Sequence, residues 1–111
     1  MKIGIVILNW NGLDLLRKHL NEIILNSDNS TIYIIDNNSS DESVLYVRNN
    51  YTEVKVISLD KNYGFAEGYN IGLKEVEEEY VCIINNDILV TENWLDPIRK
   101  KIKKHPESII Q

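Results

Sequence analysis

Three nearly unbroken apolar, β-branched runs dominate this chain: Ile3 to Leu8, Thr31 to Ile35 and Tyr80 to Ile84. A run without polar alternation belongs to a strand buried on both faces, and that burial occurs in a parallel sheet covered by helices. A fourth run, Val54 to Leu59, alternates more and reads as a strand nearer an edge. Between the runs the period changes. Leu13, Leu16, Leu20, Ile23 and Ile24 recur at helical spacing, a short helix fits Val44 to Asn49, and Phe65, Tyr69, Leu73 and Val76 share one helical face. Thr91 is placed to cap a last helix with Trp94, Leu95, Ile98 and Ile102 inward and Arg99, Lys100, Lys101, Lys103 and Lys104 mostly outward, closed by His105 and Pro106.

This β-α-β-α-β-α-β-α alternation, with right-handed crossovers, predicts an α/β fold: an open parallel sheet with helices on both faces. At 111 residues the chain has room for one core, so residues 1–111 are expected to form a single domain. Ser108 to Gln111 resembles the first half of another strand, as if the domain continued. A formal net charge of −5 argues against a nucleic-acid grip built on phosphate contacts. The single cysteine, Cys82, excludes an internal disulfide, and no Cys/His cluster offers a zinc site. The first apolar run is too short for a membrane span or signal peptide. Cytoplasm is the expected compartment, with peripheral placement at the inner face of a membrane left open.

In an open parallel sheet, ligands bind beyond the carboxyl ends of the strands, where strand order reverses. The polar clusters at those ends are Asn9-Trp10-Asn11, Asp36-Asn37-Asn38, Asn62-Tyr63-Gly64 and Asn85-Asn86-Asp87, so carboxylates, amides and a glycine turn converge on one rim. Asp87 ends a wholly apolar strand with no glycine or proline nearby, and a carboxylate there can ligate a divalent cation or cap a turn. Asp36 can accept from a base or ribose, or can cap the following helix in competition with Ser39, Ser40 and Asp41. No GxGxxG follows the first strand and no GxxxxGK[ST] occurs, which excludes the dinucleotide and P-loop readings. Gly64, Gly68 and Gly72 recur every four residues, a spacing that permits close backbone packing. His19 is expected on the solvent side of the first helix and Cys82 in the core. No nucleophilic triad can be assembled.

The segments Ile5 to Gly12, Ile35 to Ser43, Asn62 to Gly72 and Ile83 to Asp87, in this order, resemble family 2 of the inverting nucleotide-sugar glycosyltransferases, whose fold is called GT-A, and particularly its rhamnosyltransferase-like members. The resemblance implies the nucleotide-sugar-binding part of a metal-assisted hexosyltransferase, with strand order 3-2-1-4. In it, Asn9, Trp10 and Asn11 would lie beside the base and Asp36 would accept a base N–H. Asn38, Asn62, Gly64 and Asn86 would border the donor pocket. Asp87 would match the last aspartate of the family's D-x-D motif, holding Mg²⁺ or Mn²⁺, with Asn85 a weaker, neutral substitute at the first position. The donor would be a UDP-, dTDP- or GDP-linked sugar and the acceptor a glycan or lipid-linked glycan, as in polysaccharide biosynthesis. The family's catalytic base has no counterpart here and is expected beyond residue 111, which would leave the isolated fragment inactive and, with an open sheet edge, prone to self-association. Two alternatives stand beside this reading. One is a non-catalytic nucleotide-binding or interaction module on the same fold. The other is a receiver-like phosphorylation domain, against which the lack of an acidic pair after the first strand counts.

Overall fold

A computed structural model describes residues 2–104. The elements run β1 (Ile3–Asn9), α1 (Leu13–Leu25), β2 (Ser30–Asp36), α2 (Ser43–Asn50), β3 (Lys55–Ser58), α3 (Phe65–Gly72), a single 3₁₀ turn (Leu73–Glu75), β4 (Tyr80–Ile84) and α4 (Asp96–Lys104). All pairings are parallel and the order is β3-β2-β1-β4, the order predicted from the sequence. The strand expected at residues 108–111, and the helix closure at His105 and Pro106, lie outside the described residues. No helix among the described residues is long and apolar enough to cross a membrane.

Side-chain alternation divides the core in two. Ile3, Ile5, Ile7, Ile32, Ile34, Cys82 and Ile84 face the layer of α1, α2 and α4, where Leu16, Leu20, Ile23, Val47, Leu95 and Ile102 meet them. Val6, Tyr33 and Ile35 face the other way, onto Tyr69 of α3, with Leu8, Ile71, Val81 and Ile83 partly buried around them. β1 and β2 are buried almost throughout because each has a strand on both sides and a helix on both faces. β3 and β4 are the edges and are correspondingly half-exposed.

The glycine period of α3 does what its spacing suggested. A Cβ on Gly72 would lie 2.4 to 2.8 Å from three atoms of Ile35, so the helix lies closer to the sheet there than a side chain allows, and one on Gly68 would press on Asn37 Nδ2 at 3.0 Å.

Three expectations are corrected. His19 is buried, on the same stripe as Leu16, Leu20 and Ile23, not on the solvent side; the apolar stripe of α1 is wider than its leucines and isoleucines alone indicate. The helical face expected over Phe65, Tyr69, Leu73 and Val76 is shorter: α3 ends at Gly72, Leu73 lies in the 3₁₀ turn and Val76 is extended, while Phe65, exposed at the first position, packs on Tyr69 edge to face at 5.0 Å. The last helix begins at Asp96, not after Thr91. Asn93 adopts φ 61°, which breaks helical continuity, and Pro97 in the first turn fixes the backbone for a new start. Residues 91–95 form turns that bury Leu95 and half-bury Trp94, so the inward set stands although the cap does not.

Candidate functional site

β1, β2 and β4 deliver their C-terminal residues to one rim, and the chain reverses there: β1 leads to β2 on one side, whereas β3 returns through α3 to β4 on the other. The switch point is therefore the gap between the ends of β1 and β4, where an open α/β sheet forms its crevice. The Tyr69 hydroxyl spans the start of that gap, accepting from Leu8 N at 3.3 Å and donating to Ile84 O at 3.4 Å. Burial pushes the Tyr69 phenol above its ordinary value, which keeps it a donor.

Asp36 ends β2 and is 3% exposed. Its Oδ1 accepts from Asn9 Nδ2 at 3.0 Å and from Ser39 Oγ at 2.6 Å, while Oδ2 accepts from Ser39 N at 2.9 Å. The aspartate thus folds the 37–40 loop back onto the strand end rather than capping α2. Asp41 takes that task, accepting from Ser43 N at 3.0 Å and from Leu13 N at 3.1 Å. These donors and the Ser43 hydroxyl hold the Asp41 carboxyl below its ordinary range, against an opposing effect of burial that is the largest single influence. Asp36 retains acceptor capacity on Oδ2.

Asn9 is fully buried and its side chain also reaches Ser39 Oγ at 3.3 Å and Asn86 Nδ2 at 3.3 Å. Asn11 is exposed, with φ 50°, and its Oδ1 accepts from Ser40 N at 2.7 Å and Asp41 N at 3.2 Å, while its own N–H donates to Ser39 Oγ at 2.9 Å. The loops after β1 and β2 are therefore cross-braced into one surface. Trp10 stands on it, 54% exposed. Asn38 is exposed at φ 62°, a left-handed conformation that asparagine tolerates.

The turn before α3 is attached by a residue that the sequence reading did not single out. Asn37 is 2% exposed; its Nδ2 donates to Gly64 O at 2.9 Å and its Oδ1 accepts from Tyr63 N at 3.0 Å, pairing with that turn as another backbone would. Its place among four polar residues hid it, and only its position next to the last strand residue, facing α3, distinguishes it from Asn38. Asn62 Oδ1 accepts from Gly64 N at 2.8 Å, and Gly64 sits at φ 79°, ψ −174°, a conformation open to glycine alone.

Past β4, Asn85 and Asp87 are exposed and Asn86 is half-buried. Their oxygen donors suit a hard divalent cation completed by phosphate oxygens and water. Among the described residues no three His, Cys, Asp or Glu side chains cluster as a protein-only metal cage, so such a cation would depend on its anionic ligand. A cleft of about 400 Å³ lies at the opposite pole, beside Lys2, Ser30, Glu53, Lys55 and Glu78. It opens at the amino ends of the strands, away from the converging loops; there Tyr33 OH donates to Glu78 Oε1 at 2.6 Å and Lys55 Nζ lies 3.9 Å from Glu77 Oε2.

The geometry is that of an open parallel α/β sheet with its switch point between β1 and β4. The chain belongs to glycosyl transferase family 2, whose sequence profile matches residues 4–111. It is 32% identical over 105 residues to the uncharacterized glycosyltransferase YwdF of Bacillus subtilis, covering 93% of this chain and 39% of that protein. The fold matches the crystal structure of S. aureus TarS 1-349 in complex with UDP-GlcNAc with a TM-score of 0.81 at 21% identity, covering 96% of this chain and 32% of that one. The mannosyltransferase PcManGT from Pyrobaculum calidifontis, in complex with GDP-Man and Mn²⁺, superposes with a TM-score of 0.67 at 20% identity over 78% of this chain and 28% of that one. The architecture is thus the GT-A fold, and the chain spans about two-fifths of its sequence relative and a third or less of these solved chains.

Proposed function

We propose that the rim between β1 and β4 binds the nucleoside diphosphate of a sugar donor, and that this chain is the donor-binding part of a metal-assisted, inverting glycosyltransferase. The observation that carries the reading is the hydrogen-bonded line from Asp36 through Asn9 to Asn86, which ties an acceptor suited to a base to the turn that carries Asp87. The complexes of the two structural relatives with UDP-GlcNAc and with GDP-Man and Mn²⁺ support it.

In this reading Asp36 Oδ2 accepts a base N–H, Trp10 offers its exposed ring for stacking, and the Asn62–Gly64 turn lines the pocket's flank. Asp87, assisted by Asn85, would hold Mg²⁺ or Mn²⁺. A bound divalent cation would supply charge compensation for the departing diphosphate. Inversion also needs a carboxylate that deprotonates the acceptor hydroxyl on the face opposite the leaving group. We assign that base to the part of the relatives' length that this chain does not span, so the 111 residues by themselves are expected to bind donor without transferring sugar.

The test is an NMR titration with UDP, dTDP and GDP, each with and without Mn²⁺. Shifts at Asp36 and Trp10 with each nucleotide, joined by metal-dependent broadening at Asn85 and Asp87, are expected; their ranking identifies the base. Asp87→Ala should abolish the Mn²⁺ dependence while the spectrum stays folded. A folded chain that responds to no nucleotide would return the chain to the binding-module alternative.

A further inference from the structure

Three side chains run edge to edge across the rim, one from each of three adjacent strand ends. Asp36 ends β2, Asn9 ends β1, and Asn86 lies just past β4, in the spatial order β2-β1-β4. Asn9 Nδ2 donates to Asp36 Oδ1 at 3.0 Å, and Asn86 Nδ2 donates to Asn9 Oδ1 at 3.3 Å. The polarity of this line follows from its first member. An ionised carboxylate only accepts, so Asn9 must turn its NH₂ towards Asp36, which leaves its oxygen facing Asn86 and obliges Asn86 to present a donor. Asn9 is fully buried, so its bond to Asp36 is shielded from water, while the bond from half-buried Asn86 is shielded on the Asn9 side.

A second observation comes from Gly12. A Cβ built there would lie 2.3 Å from Asn9 Oδ1 and 2.5 Å from Asn86 Nδ2. The meeting point of the two amides occupies the space that a side chain at position 12 would fill. The turn after β4 also carries a long local bond, Ile88 N to Asn85 O at 3.4 Å.

We propose that Asn9 is a positioning residue whose amide bridges the two ends of the donor site. It sets the 85–87 turn in register with Asp36, so that a cation held at Asp87 and a nucleoside held at Asp36 strengthen each other's binding. This rests on the donor-site reading above. A ligand that spans both ends gains from the bridge because the relative placement of its two anchors is fixed before it arrives.

The measured quantity is the ratio of UDP affinity with Mn²⁺ to that without it, in wild type, Asn9→Ala, Asn86→Ala, the double variant and Gly12→Ala. Each single variant is expected to lower this ratio about fivefold, the scale of one neutral hydrogen bond, and the double variant to lower it no further than the worse single. A residue that merely supports the fold would weaken binding with and without metal in parallel and leave the ratio unchanged; that result, or additive losses in the double variant, overturns the proposal. If wild type binds UDP in neither condition, the donor reading fails on its own, and amide exchange then decides the bridge. Asn9→Ala and Gly12→Ala should speed exchange of the Ile88 N–H about fivefold, and unchanged exchange there overturns the bridge whatever the nucleotides do.

Discussion

Burial of Cys82 in the middle of β4 pushes its thiol from an ordinary 9.0 up to about 11, because the thiolate would lose its hydration between the sheet and the helical layer. Native chain at pH 8 should therefore be inert to a thiol reagent that modifies the urea-unfolded chain at once. Tyr51 shifts the same way, from 10.0 to about 12, by burial and by its contact with Tyr46. The sign of the linkage follows: the unfolded chain gives up these protons first, so stability is intact below about 9 and falls as pH climbs through 11. Urea midpoints taken between pH 8 and 11 should decline, and less steeply for Cys82→Ala. Gly64 makes a different kind of demand, since φ 79° with ψ −174° admits no side chain. Gly64→Ala should cost about 1–3 kcal/mol in chemical denaturation. Single residues were unevenly legible in the sequence. Cys82 read as core because its strand is apolar throughout, whereas His19 did not, because a histidine lends no weight to an apolar period even when it lies on the buried stripe.

Elements were more legible than their ends. All four strands and four helices stand where the periodicity put them, because continuous β-branched runs and helical spacing both report burial directly. The ends depend on single backbone angles that the periodicity does not carry, as Asn93 at φ 61° shows for α4. What anchors that segment was likewise invisible: Trp94 Nε1 donates to Ser27 Oγ at 2.8 Å, and Arg99 Nη2 reaches Asn29 O at 2.9 Å, contacts between residues some 70 positions apart. For α3, the four-residue glycine spacing was readable but not its target. Ile35 is fully buried and three of its atoms lie within 2.8 Å of where a Gly72 Cβ would be, so it has no room to yield. Gly72→Ala should destabilise by about 1–3 kcal/mol. Gly68→Ala, facing the Asn37 amide at 3.0 Å, should cost less in stability and instead loosen the turn at Tyr63, read as faster amide exchange there.

At the scale of the whole molecule, the parallel sheet and its converging rim of strand ends followed from handedness and alternation, whereas the hydrogen bonds across that rim did not. Among the described residues β4 has no partner on its outer edge, and beside it a cleft of about 310 Å³ is lined by Ile83, Ile88, Leu89, Val90, Trp94 and Ile98, with Leu89 73% exposed. An unpaired edge next to apolar surface favours association of copies. Light scattering should show a mass that grows with concentration, and Leu89→Asp should suppress the growth. A strictly monomeric wild type at high concentration would count against this.

The parallel order also sets the sequence of assembly. The Asn9–Asp36 contact closes a loop of 27 residues, whereas the Asn9–Asn86 contact closes one of 77. Closing the longer loop costs more chain entropy, so the Asp36 end of the rim can form early and the Asn86 end only once β4 docks. Fraying should proceed in reverse, with the edge strand leaving first. A partly opened molecule would then still present Asp36 in place while Asp87 was already lost to solvent, so the two ends of one site would differ in lifetime.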